Sequence, residues 1–181
     1  MEIKYKIQFY TDWHCGSGLA AGADVDALVV KDKDGLPFVP GKTIKGLVRE
    51  AMVEMGNAED SLIDDVFGYF KDKDNMEKSE TFFKNAELSE TEKRAIITNK
   101  VSKYLYRNIA STAIDENGIA KEHSLRKMEV VVPCELEGEI LNVSEDLVSQ
   151  IKRALKYIKR LGQNRNRGLG RCTITLEGGA K

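Results

Sequence analysis

The sequence predicts an α+β fold, an antiparallel sheet with helices on one face, and three observations predict it. Residues 2–10, EIKYKIQFY, place Ile3, Tyr5, Ile7 and Phe9 on one side at period two. Two segments, 42–55 and 145–161, carry apolar residues at helical spacing. The remaining apolar runs, among them DALVVK (26–31), TFFKNAELS (81–89) and KMEVVVPCELEGEIL (127–141), read as strands.

The first strand is followed by a glycine-rich loop, HCGSGLAAGAD. DALVVK (26–31) reads as a strand, DKDG (32–35) as a tight turn, and LPFV as its return. Pro40-Gly41 stops that strand, and Ile44, Leu47, Val48, Ala51 and Met52 set a helix starting near Lys42. The stretch 57–79 reads as an insertion holding a short amphipathic piece, DSLIDDVFGYF. TFFKNAELS (81–89) reads as a strand, and 90–126 as a polar, mixed insertion with turn chemistry at TAIDENGIA. KMEVVVPCELEGEIL (127–141) is strand-rich, with Pro133 at an edge or bulge. Ser144 suits an N-cap for the helix 145–161, whose Leu147, Ile151, Leu155 and Ile158 share a face. A second glycine-rich loop, GQNRNRGLGR, leads into the last strand, CTITLEG. With the insertions set aside the order is β-α-β-β-α-β, a ferredoxin-like (RRM-like) palm spanning 1–181 as one domain.

Composition narrows the function. Of 181 residues, 41% are hydrophobic and 31% charged, enough for a core under a polar surface. No apolar run is long enough for a membrane span and no leader pattern opens the chain, so the expectation is a cytoplasmic protein without a membrane partner. Cys15, Cys134 and Cys172 are odd in number and far apart, which encodes neither a disulfide framework nor a zinc ribbon. The net charge of −1 hides an uneven distribution: Gln150–Arg171 holds eight Lys or Arg and no acid.

Two nucleotide motifs fail on inspection. Gly16-Ser17-Gly18 lacks the helix a dinucleotide fingerprint requires, and Gly35 to Gly41 encloses five residues, two of them prolines, where a P-loop has four and none. What remains suits a phosphate backbone. Lys42, Lys45 and Arg49 fall at i, i+3 and i+7 from a helix start that offers free N–H groups, with Thr43 beside them. In GQNRNRGLGR, Gly162, Gly168 and Gly170 let backbone approach a ligand, and Asn164, Arg165, Asn166, Arg167 and Arg171 supply donors. For chemistry, Asp12, Asp24 and Asp26 flank the first glycine-rich loop, and spacing alone does not choose among them. His14 is a candidate general base and equally a packed, hydrogen-bonded histidine.

These segments also carry a resemblance. DWHCGSGLAAGADVDALVVKDKDGLPFVPGKTIKGLVREA resembles the N-terminal signature of the RAMP (repeat-associated mysterious protein) superfamily of CRISPR systems. TAIDENGIAKEHSLRKMEVVVP is similar to its middle region, and GQNRNRGLGR to its C-terminal glycine-arginine loop. Within the superfamily the chain most resembles the repeating backbone subunit of type III effector complexes. The resemblance implies a subunit that lines up with copies of itself or similar RAMP subunits along a guide CRISPR RNA, with other effector subunits and a complementary target RNA as partners. It implies a hairpin thumb, here about 104–128, with Arg107, Thr112, His123 and Arg126 near RNA. Lys42, Thr43, Lys45 and Arg49 would grip the guide, with Gly18 in the first loop and Asn164, Arg165, Asn166, Arg167, Gly168, Gly170 and Arg171 in the second. It also implies one loop aspartate that cleaves target RNA with a divalent metal, Mg2+. Asp26-Ala-Leu-Val-Val-Lys-Asp32 matches D-x-x-V-x-[RK]-D, which assigns that role and the metal to Asp26, with Asp24 able to stand in. Two alternatives stay open: a RAMP subunit that binds RNA without cutting it, and a guide-processing endoribonuclease using His14.

Overall fold

Alternation along β1 (Ile3–Phe9) does in three dimensions what it promises in sequence: Ile3, Tyr5, Ile7 and Phe9 are buried while Lys4 stays exposed. The computed structural model describes residues 1–22, 24–56, 67–72, 75–77 and 80–177. β1 lies between β9 (Glu135–Leu141) and β10 (Cys172–Leu176), antiparallel to both, with Ile7 opposite Leu136 and Ile174. The sheet continues outward through β6 (Ala86–Glu87) to β2 (Phe38–Val39), and β5 (Phe82–Phe83) pairs with the end of β9. Gly138 faces Tyr5 across the ladder. A Cβ there would come 2.3 Å from the tyrosine ring, so the ring occupies the volume a side chain would need.

Two helices cover the buried face. α1 (Gly41–Glu54) contributes Ile44, Val48, Ala51 and Met52, and α3 (Glu145–Tyr157) contributes Leu147, Ile151, Ala154 and Leu155. Both match the expected apolar spacing. α3 ends at Tyr157 rather than Leu161, because Ile158 turns to an extended conformation, and Ser144 stands at the N-cap without a side-chain cap bond. The opposite face of the sheet is a charged ladder in which Lys6 meets Glu135 at 3.1 Å and Glu137 at 3.0 Å. Exposed pairs of this kind contribute at most about 1 kcal/mol each.

Several expectations need correction. Residues 81–89 form two short strands, not one, because the break at Lys84-Asn85 serves α1: Asn85 Oδ1 accepts the Gly41 N–H at 2.9 Å. Gly41 packs so tightly on Phe83 that a Cβ would lie 2.0 Å from its carbonyl oxygen. The run 127–141 is not one edge or bulged strand. β8 (Arg126–Val131) and β9 belong to different sheets, and the chain changes sheet around Pro133. DALVVK (26–31) forms no regular strand but makes isolated bridges, Ala27 to Met128, Val29 to Gly16 and Lys31 to Pro37. The turn at 32–35 is present, with Asp32 Oδ1 accepting the N–H groups of Asp34 and Leu36 at 2.9 and 2.8 Å.

The stretch 90–126 is more regular than its composition suggests. α2 (Glu90–Asn99) opens with a capping box in which Ser89 and Glu92 satisfy each other's backbone N–H groups. No residue of α2 is buried, so its apolar periodicity is weak. β7 (Tyr106–Ser111) then pairs antiparallel with β8 in a hairpin whose tip spans 112–125. The amphipathic piece expected at 60–70 lies largely outside the described residues; nearby, β3 (Tyr69–Asp72) and β4 (Asn75–Glu77) pair antiparallel. Among the described residues no helix is long and apolar enough to cross a membrane.

Candidate nucleic-acid interface

Both glycine-rich loops converge on the middle of the hairpin, around Met128 and Glu129 in β8. The first loop runs out and back as an irregular pair of limbs: Ser17 N–H donates to Leu28 O at 2.9 Å, and Ala21 and Val25 exchange a bridge at its end. Its returning limb is fastened to β8. Asp26 N–H donates to Lys127 O at 2.9 Å, and Lys127 N–H returns a bond to Asp26 Oδ2 at 2.8 Å. Glu129 continues the seam, its carboxylate accepting Val29 N–H at 3.1 Å and Lys31 Nζ at 2.7 Å. The turn after this limb is tied down in turn by Tyr106, whose hydroxyl donates to Gly35 O at 2.7 Å.

Asp26 therefore has a fixed backbone and a half-exposed carboxylate, 48% accessible. One oxygen is oriented by the Lys127 N–H, and the other faces Arg126 Nη1 at 3.6 Å. Asp24 is exposed in the turn at the loop's end, and Gly18, at φ +81°, is exposed with open space around it. Asp12 behaves differently: it is buried and ion-paired to Arg107.

The second loop is anchored by the glycines expected to approach a ligand, and two of them approach the protein itself. A Cβ on Gly162 would lie 2.5 Å from His14 O, and one on Gly170 would lie 1.8 Å from Leu161 O. Only Gly168, at φ +93°, stands in open space. Asn164, at φ 53°, directs its amide toward Met128 Sδ at 3.6 Å, bringing this loop to the hairpin strand that holds Asp26. Arg165 forks onto Glu50 of α1 at 2.9 and 3.2 Å, and that carboxylate pushes its guanidinium pKa up. Asn166 and Arg167 are exposed, and Arg171 is exposed with its guanidinium 5.7 Å from the Tyr10 ring. Arg107 and Arg167 line one hollow of about 550 Å³.

His14 lies beneath both loops with 0% exposure, its Nδ1 2.6 Å from Glu129 O and its own carbonyl accepting Gln163 N–H at 2.9 Å. That is the packed, hydrogen-bonded placement, and it withdraws the ring from the surface. The basic residues of α1 are only partly as expected. Lys42 and Arg49 are exposed and Thr43 and Lys45 half-buried, but the helix start is not open: Asn85 takes the Gly41 N–H, and Pro40 O takes that of Thr43 at 2.8 Å. From Lys42 to Glu50, where the second loop docks, α1 rises about 12 Å, so these residues form a separate basic station. On the hairpin, Thr112 bonds Ser124 at 2.6 Å, and His123, at φ 56°, is exposed at the tip.

Among the described residues no three His, Cys, Asp or Glu side chains gather into a metal cage. Asp26 is a single accessible carboxylate, which fits the habit of Mg2+ to take one or two carboxylates and complete its shell with water and substrate phosphate. Sequence reasoning missed Glu50 and Glu129, the acids that hold the two loops. Their signal was the unexplained acid within a basic or apolar run, in KGLVREAM and KMEVVV.

A family model described as RAMP superfamily matches residues 6–173. No curated protein matches the chain. Two solved structures are similar at a TM-score of 0.74. One is the cryo-EM structure of the type III-B Cmr-beta bound to cognate target RNA, at 12% identity over 97% of each chain. The other is type III-B Cmr-beta in its apo state, at 13% identity over 98% of each chain. At these identities the likeness is one of fold.

Proposed function

The chain belongs to the RAMP superfamily, and from that premise we propose that it is a guide-RNA-binding backbone subunit of a type III CRISPR effector complex that cleaves complementary target RNA at Asp26. Its palm is read as ferredoxin-like, which the sheet order β10-β1-β9-β6 supports. The observation that carries the reading is the position of Asp26, an accessible carboxylate fastened to β8 at Lys127, one residue from the tip of the hairpin. Both glycine-rich loops meet β8 at the neighbouring Met128.

Arg126, Arg167, Arg171 and the α1 station of Lys42, Lys45 and Arg49 supply cations for phosphates, and local positive charge can do this although the chain is nearly neutral. Asn164 and Asn166 offer amide donors and acceptors for ribose and phosphate oxygens. Asp26 accepts the proton of a target 2′-hydroxyl. The 2′-oxygen then forms a bond to the adjacent phosphorus, the bond to the 5′-oxygen breaks, and a proton goes to that leaving oxygen. The products are a 2′,3′-cyclic phosphate and a 5′-hydroxyl. A divalent ion such as Mg2+, with Asp26 as its one protein carboxylate, would neutralise charge developing on the phosphate. The Lys127 N–H holds the carboxylate in orientation.

The test is target cleavage by the assembled complex. Asp26→Ala lowers the rate by about 10²-fold or more while guide binding persists, and Asp24→Ala leaves the rate within a few-fold. Unchanged cleavage with Asp26→Ala would reduce the subunit to RNA binding alone.

A further inference from the structure

Glu50 is out of place electrostatically. It sits on α1 next to Arg49 and five residues after Lys45, facing a loop whose side chains include Arg165 and Arg167. A carboxylate within a phosphate-binding surface repels the ligand, so its presence there needs a compensating role.

The geometry supplies one. Arg165 Nη2 donates to Glu50 Oε1 at 2.9 Å and Nη1 to Oε2 at 3.2 Å, a two-pronged bond that fixes direction as well as distance. The same residue's carbonyl accepts Arg160 Nη1 at 2.9 Å, so Arg165 is held at both its side chain and its backbone. It begins a short 3-10 turn, Arg165–Arg167, bracketed by two left-handed residues, Asn164 at φ 53° and Gly168 at φ 93°. Arg167 N–H closes the turn onto Asn164 O at 2.8 Å. The turn thus hangs between Met128 on the hairpin and Glu50 on α1, and what it presents outward is Asn166 and Arg167.

We propose that Glu50 is a positioning residue for RNA binding. Through Arg165 it locks the 164–167 turn in the shape that aims Asn166 and Arg167 at the strand, and Arg165 is a strut, not an RNA contact. This rests on the RNA-binding reading of the preceding subsection.

The sign of one experiment separates this from simple charge. Removing an acid from a phosphate-binding surface tightens binding if Glu50 only repels RNA; it loosens binding if Glu50 positions the turn. The full chain is titrated with a labelled single-stranded RNA of repeat sequence, and amide exchange is followed in parallel at Arg167 and Leu169. Glu50→Ala is expected to weaken binding by roughly two- to fivefold and to speed exchange at both amides. The exchanged pair Glu50→Arg with Arg165→Glu keeps the net charge and restores both to near the parent values. Tighter or unchanged binding with Glu50→Ala would overturn the proposal, as would a double variant no better than the single one or unchanged exchange. A parent chain that shows no salt-dependent RNA binding would instead overturn the underlying reading, and the positioning role with it.

Discussion

Arg107 and Asp12 join the base of the hairpin to the segment that follows β1. The arginine Nε donates to Asp12 Oδ2 at 2.6 Å and Nη2 donates to the same oxygen, while the aspartate side chain is 8% accessible and the arginine 62%. The pair ties the hairpin to the palm between residues 95 apart in sequence, beside the backbone bridge of Trp13 and Val131. Arg107 was expected beside RNA; its pairing makes it first a structural residue. Arg107→Ala leaves a buried carboxylate without its cation and should lower stability by about 1–3 kcal/mol in urea unfolding. A change within about 0.5 kcal/mol would show that water replaces the arginine freely.

The two glycines that close the second loop should differ sharply. Gly168→Ala meets open space and costs only the left-handed backbone, about 1–2 kcal/mol. Gly170→Ala drives a Cβ to 1.8 Å from Leu161 O and should cost about 3 kcal/mol or more, or prevent folding. Equal midpoints for the two variants in a denaturant titration would contradict this account of the loop.

The cysteines should be quiet in the folded chain. Burial disfavours the thiolate and pushes Cys15 up to about 12 and Cys134 and Cys172 to about 11, from an ordinary 9.0. Labelling by a disulfide reagent at pH 8 should be about 100-fold slower or more in the folded than in the unfolded chain. Between pH 9 and 11 the folded chain keeps protons that the unfolded chain has lost, so stability falls as pH rises through that window. Rapid labelling of all three thiols under native conditions would refute the packing around β1 and β10.

Phosphate contacts should map to the loops and not to the open sheet face. Arg167→Ala with Arg171→Ala should weaken RNA binding and reduce its salt dependence by about one logarithmic slope unit per lost contact. Lys6 is already held by Glu135 and Glu137, so Lys6→Ala should change affinity by less than about twofold. The reverse pattern in a filter-binding series would move the interface to the sheet.

How much of this was legible follows from the range of the forces involved. The alternation of β1 and the apolar spacing of α1 and α3 are local patterns, and the structure reproduces them. α2 escaped because nothing on it is buried, although Ser89 and Glu92 carried a capping box in plain view. DALVVK looked like a strand because its composition is that of one, but its backbone is spent on β8 and Glu129. The site loops were visible as glycine and arginine clusters. Their anchors were not, since Glu50 meets Arg165 across 115 residues and Glu129 meets Val29 across 100, contacts that only the fold brings about.

The claim at the centre is that this subunit holds a guide RNA, and the most direct measurement is to express the chain with a matching repeat–spacer array, purify it at moderate salt and sequence the RNA that accompanies it. Repeat-derived guides are expected, released as salt is raised. Protein free of RNA, or carrying cellular RNA without enrichment of the array, would contradict it.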